Sequence, residues 1–127
     1  RGRSAPASCI GGYLRIGRQN SVVDNQSSGG LVCPIDDSSG ALGKAHRGIP
    51  ERQLYARHPD GDAQIEGVTL PYRQESRDLA ARTLECFPEM YFCGLDIAIG
   101  PQGPVIVELN PSPDKEGAAF MQIAFPE

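Results

Sequence analysis

Two alternating apolar runs around a proline–glycine turn, over residues 91–110, constrain this chain more than any other feature in it. Gly100-Pro101-Gln102-Gly103-Pro104 separates Tyr91 to Ile99 from Val105 to Asn110, and both flanks are rich in strand-forming residues. Pro101 suits the second position of a type I turn and Gly103 the left-handed site after it. A three-residue loop over 101–103 is therefore predicted, with Gly100 facing Pro104. In that register Ile99 faces Val105, Ile97 faces Val107 and Leu95 faces Leu109. All six point to one side, which is predicted to be a core face. The other side carries Ala98 against Ile106, Asp96 against Glu108 and Gly94 against Asn110.

Directly opposed side chains lie about 4.5–5.5 Å apart at Cβ, where like charges destabilise a strand pair. Asp96 and Glu108 thus need a partner, and a divalent cation is the simplest. Magnesium takes oxygen ligands at about 2.0–2.1 Å and commonly binds one or two carboxylates plus substrate phosphates. Asp96, Glu108 and Asn110 supply that chemistry, and Gly94 leaves room above Asn110. The alternative is a surface hairpin with solvated acids. A slip by one residue would bury the acids and is disfavoured.

Elsewhere the chain reads as a mixture of short strands and a helix. Tyr13 to Gly17 is predicted to be a strand, and Asp24 to Gly30 a polar, glycine-rich loop. Leu31 to Ile35 and Ala41 to Ala45 read as strands joined by a turn at Asp36-Asp37-Ser38-Ser39-Gly40. His58-Pro59-Asp60-Gly61 is a turn signal. A helix is predicted from Tyr72 to about Phe87, with Pro71 in its first turn, an apolar stripe at Leu79, Ala80, Thr83, Leu84 and Phe87, and a stop at Pro88. A segment around Ala118 to Phe125 also suits a helix. The fold class is α+β, an antiparallel sheet with flanking helices.

Composition excludes several functions. A length of 127 residues suits one modest domain. The net charge of −4 argues against a nucleic-acid partner, which usually needs a basic face. No run approaches the roughly 20 apolar residues of a membrane span. Cys9, Cys33, Cys86 and Cys93 form no CxxC and no ligand-like pairing with His46 or His58, so zinc is unsupported. Scattered cysteines without a signal peptide fit reduced thiols in the cytoplasm. His46 and His58 suit surface or turn roles, and Cys93 a small core residue. Lys44 lacks the glycine spacing and the following Ser or Thr of a P-loop.

The stretch Gly94-Leu95-Asp96-Ile97, followed by Gly103-Pro104-Val105-Ile106-Val107-Glu108-Leu109-Asn110-Pro111, resembles the metal-binding end of the ATP-grasp superfamily. That end has an Asp on one strand and Glu-x-Asn on the next. Leu14-Arg15-Ile16-Gly17-Arg18, Ser21-Val22-Val23-Asp24-Asn25 and Gly29-Gly30 resemble the sugar-transfer associated ATP-grasp branch. The Asp24-Asn25 and Gly29-Gly30 loop is also similar to that of ATP-grasp ligases acting on glutamate.

The resemblance implies a C-terminal ATP-grasp subdomain over residues 1–127, a partial domain whose nucleotide-cradling N-terminal part is missing. It implies ATP and two Mg2+ ions, with Mn2+ as a substitute. Glu108 would bridge the ions, and Asp96 and Asn110 would each complete one. Arg15, or else Arg18, would approach the γ-phosphate or acyl phosphate. Asp24, Asn25, Gly29 and Gly30 would shape the acceptor or phosphate side. The implied activity is carboxylate activation through an acyl phosphate on a small carboxylate or sugar-linked substrate, within cell-surface polysaccharide biosynthesis. An amino-acid ligase of the glutamate-adding kind and a non-catalytic binding module are the alternatives.

Overall fold

Leu31–Pro34 is the most buried strand among the described residues, and the first of two compact units is built around it. The computed structural model describes residues 6–18, 30–47 and 53–112. In the unit Gly11–Leu70, β1 (Tyr13–Ile16), β2 (Leu31–Pro34), β3 (Ala45–His46) and β4 (Leu54–Tyr55) form an antiparallel sheet in sequence order. Leu31 and Cys33 are fully buried with Leu42, Ala45 and Ile65, and Leu14, Ile16, Ile35, Tyr55 and Leu70 pack around them. Their alternation along β1 and β2 puts these side chains on one face.

The predicted turn after β2 forms. Asp36 N–H donates to the Ala41 carbonyl (2.9 Å) and Gly40 N–H to the Asp36 carbonyl (2.8 Å). The Asp36 carboxylate accepts from the Ser38 hydroxyl and from the Ser39 amide and hydroxyl, an Asx arrangement that competes well with regular pairing. Beyond the turn, Ala41 and Leu42 make isolated bridges to Thr69 and Ile35, and continuous pairing resumes only at β3. The 58–61 turn also forms, with His58 N–H donating to the Ala63 carbonyl and Asp62 N–H to the His58 carbonyl, both at 2.8 Å.

The second unit, Arg1–Ile10 with Pro71–Glu127, holds helix α1 (Arg73–Glu85) and the hairpin of β5 (Gly94–Gly100) and β6 (Gly103–Asn110). The architecture is antiparallel sheets with a helix, a small α+β fold. The expected segment 118–125 lies outside the described residues, as does most of the 24–30 loop.

Two details of the helix differ from expectation. Pro71 stands outside it, because Tyr72 takes a left-handed conformation (φ 57°) as the N-cap. Tyr72 donates its hydroxyl to the Pro101 carbonyl (3.2 Å), a tertiary contact that favours this unusual backbone. Arg77 is half-buried and donates to the Cys9 carbonyl (3.1 Å). Leu79, Ala80, Thr83 and Leu84 are half-buried as the stripe predicts, whereas Phe87 lies past the helix end and is exposed.

The hairpin turn is also tighter than predicted. Gly100 pairs with Gly103, leaving Pro101 and Gln102 as a two-residue turn, so Ile99 faces Pro104, Ala98 faces Val105 and Ile97 faces Ile106. A register shift between Asp96 and Ile97 then skips Val107, and the ladder resumes with Asp96 opposite Glu108. Skipping one residue turns Val107 and Glu108 to the same side, as a bulge does. Val105 and Val107 are accordingly 60% and 66% exposed instead of lying on the core face, while Ile106 and Leu109 are half-buried. Helix α1 packs on β6 and makes the Ile106–Leu109 side the inner one.

Candidate metal and phosphate site

The bulge at Val107 decides which side chain meets Asp96. Had the turn-end register continued, Val107 would face Asp96 and Glu108 would face Leu95 on the inner side. The extra residue restores the phase, so that Leu95 pairs with Leu109, Asp96 with Glu108 and Gly94 with Asn110. Opposed side chains share a side of the pleat and residues two apart along a strand repeat it. Asp96, Glu108 and Asn110 therefore share the outer face, next to the side-chain-free Gly94.

Asp96 is half-buried, and Glu108 and Asn110 are exposed. The Asn110 side-chain carbonyl accepts from Ser112 N–H (2.9 Å), which fixes which amide atom is the acceptor. A carbonyl oxygen has two lone pairs, so this bond orients the amide and leaves an acceptor site.

This donor set suits a hard cation. It is all oxygen, two carboxylates and an amide carbonyl, and leaves positions for water and phosphate oxygens as Mg2+ requires. Among the described residues no cluster of three or more His, Cys, Asp or Glu is placed to hold a metal. The third donor here is an amide, which distinguishes the set from a zinc or iron site.

The other unit carries the candidate anion site. Arg15 is half-buried on β1 and pairs with Val32, while Ile16 pairs with Leu31. Gly30, which is buried, immediately precedes Leu31, so Arg15 and Gly30 are brought to the same end of the β1–β2 pair. Asp24, Asn25 and Gly29 lie outside the described residues.

Arg18 is already engaged. Its Nε donates to Asp60 Oδ2 (2.9 Å) and its Nη2 to Asp60 Oδ1 (3.0 Å), a bidentate pair. The hydrogen bonds to Asp60 raise the Arg18 pKa further above its ordinary value.

His46 is a residue that the sequence left in a surface role. Val32 pairs with both Arg15 and His46, so these three form one row across β1, β2 and β3 on the same sheet face. Val32 is 2% exposed, and burial lowers the His46 pKa, favouring the neutral imidazole. Only the pairing of strands distant in sequence reveals the row, so no local motif marked it.

The chain matches the model of the sugar-transfer associated ATP-grasp family over residues 8–127 and belongs to that family. No curated protein and no solved structure matches it. Membership points to ATP-dependent, ligase-type chemistry associated with sugar transfer. No helix among the described residues is long and apolar enough to cross a membrane.

Proposed function

We propose that this chain is the catalytic, metal-holding portion of a magnesium-dependent ATP-grasp ligase, corresponding to the C-terminal part of that domain. The observation that carries the proposal is the direct opposition of Asp96 and Glu108, with Asn110 two residues beyond on the same face. Two carboxylates held across a ladder repel, and a divalent cation between them relieves that repulsion. Glu108 would be the ligand shared by two ions, with Asp96 and Asn110 each completing one.

Bound there, Mg2+ would neutralise charge on the phosphates and orient them for transfer. The chain's own contribution is positional. The β5–β6 ladder sets the spacing of Asp96 and Glu108, and Ser112 N–H fixes the Asn110 carbonyl. Arg15, on its paired strand, supplies a guanidinium for the γ-phosphate or for an acyl phosphate. Asp24, Asn25 and the Gly29-Gly30 backbone are assigned to the acceptor or phosphate side. The substrate is a small carboxylate or sugar-linked compound, and the setting is the cytoplasmic side of cell-surface polysaccharide assembly.

The test is magnesium-dependent ADP release from ATP by the full-length protein. Glu108→Ala should lose more than the roughly 100-fold that outer-shell substitutions reach at metal sites. Turnover within twofold of the wild type would remove Glu108 from the metal site (a twofold change is only about 0.4 kcal/mol).

A further inference from the structure

The 58–61 turn does more than reverse the chain. His58 Nε2 lies 2.9 Å from the Gly17 carbonyl, and Asp60 N–H donates to His58 Nδ1 at 3.1 Å. A carbonyl can only accept, so Nε2 carries the hydrogen, and Nδ1 must keep its lone pair to accept from Asp60. Both bonds are satisfied by one species, the neutral Nε2–H tautomer. The Asp60 carboxylate meanwhile holds Arg18 through the bidentate pair described above. Gly17 and Arg18 are thus gripped together by two residues of one turn, some forty positions away in sequence.

The gripped residues directly follow β1, which carries Arg15, and precede the segment that bears Asp24, Asn25 and Gly29. At the other end of that segment Gly30 is buried and leads into Leu31, the partner of Ile16. Both points where the chain leaves and re-enters the sheet are therefore fixed, one by pairing and one by the turn.

We propose that His58 and Asp60 are positioning residues, a clamp that fixes the exit of β1 at Gly17 and Arg18 and thereby the alignment of Arg15. This rests on the assignment of Arg15 to the phosphate.

The experiment uses the full-length protein, MgATP and ADP release, together with hydrogen–deuterium exchange. Asp60→Ala should lower kcat about 10- to 100-fold, the scale of a misplaced positioning group, with the KM for ATP little changed. It should also speed exchange at the Ile16 to Arg18 amides. The reversed pair Arg18→Asp with Asp60→Arg should recover much of the loss that each change alone causes. His58→Gln keeps a donor for the Gly17 carbonyl and should retain more of kcat than His58→Ala. If Asp60→Ala fails to fold, the reversed pair and His58→Gln decide the question. Full kcat in Asp60→Ala beside an inactive Arg15→Ala overturns the clamp, as does failure of the reversed pair to recover activity. Full activity in Arg15→Ala overturns the underlying assignment instead.

Discussion

Cys33 donates its thiol to the Gly43 carbonyl (3.0 Å) from a fully buried position on β2. Burial pushes the thiol up from an ordinary 9.0 to about 11. Folding therefore favours the protonated form, and its contribution is fully present below pH 9. It is lost as pH rises from 9 towards 11, by about 2–3 kcal/mol in all. Denaturant midpoints at pH 8 and pH 10.5 should differ more in the wild type than in Cys33→Ala; equal slopes would sink the assignment. Thiol titration gives a second check, since exposed Cys86 should react in the native protein and Cys33 only on unfolding. His46 has the opposite sign. Its folded pKa lies below its ordinary 6.5, so the unfolded chain takes up the proton first as pH falls. That contribution is present above pH 6.5 and is lost below it. His46→Gln should flatten the acid side of the stability curve, measured by melts from pH 7.5 to 5.

At the scale of elements, the β5–β6 hairpin sets the site by its turn and its bulge. Gly103 sits at φ +120°, which L side chains rarely adopt, with the Tyr72 ring 3.8 Å from where a Cβ would stand. The space is ordinary and the backbone is not. Gly103→Ala should cost more than about 1 kcal/mol through conformation alone, read as a lower melting temperature. An unchanged melt would mean that the turn relaxes to another register. Asp96 faces Glu108 as the three-residue loop predicted, but by another route, since the turn is one residue tighter and the bulge at Val107 makes up the difference. The turn was not legible in the sequence, because Pro-Gln-Gly fits a two-residue or a three-residue loop. Val105-Ile106-Val107 has no polar residue to mark which side chain faces out, and packing of α1 against β6 settles it. The same limit applied to Tyr72 and to His58, where the turns were readable but their partners at Pro101 and Gly17 were not. Local chemistry predicts a turn, whereas its long-range hydrogen bonds depend on the finished fold.

For the whole molecule, the candidate residues are divided between two compact units. Arg15 and Gly30 belong to Gly11–Leu70, and Asp96, Glu108 and Asn110 to the unit that includes Pro71–Glu127. A ligand that binds only the folded protein stabilises it by RT ln(1 + [L]/Kd), about 1.4 kcal/mol at ten times Kd. Each kcal/mol moves the melting point of a chain of this size by roughly 4 °C. MgATP at that excess should therefore raise the melting temperature of the full-length protein by several degrees, and EDTA should abolish most of the rise. Glu108→Ala removes a carboxylate from an exposed position on β6, so its melt without ligand should stay close to the wild type. The MgATP shift, by contrast, should disappear in that variant. An equal MgATP shift in wild type and Glu108→Ala would mean that the nucleotide and its metal are held elsewhere, whatever the opposition of Asp96 and Glu108 suggests.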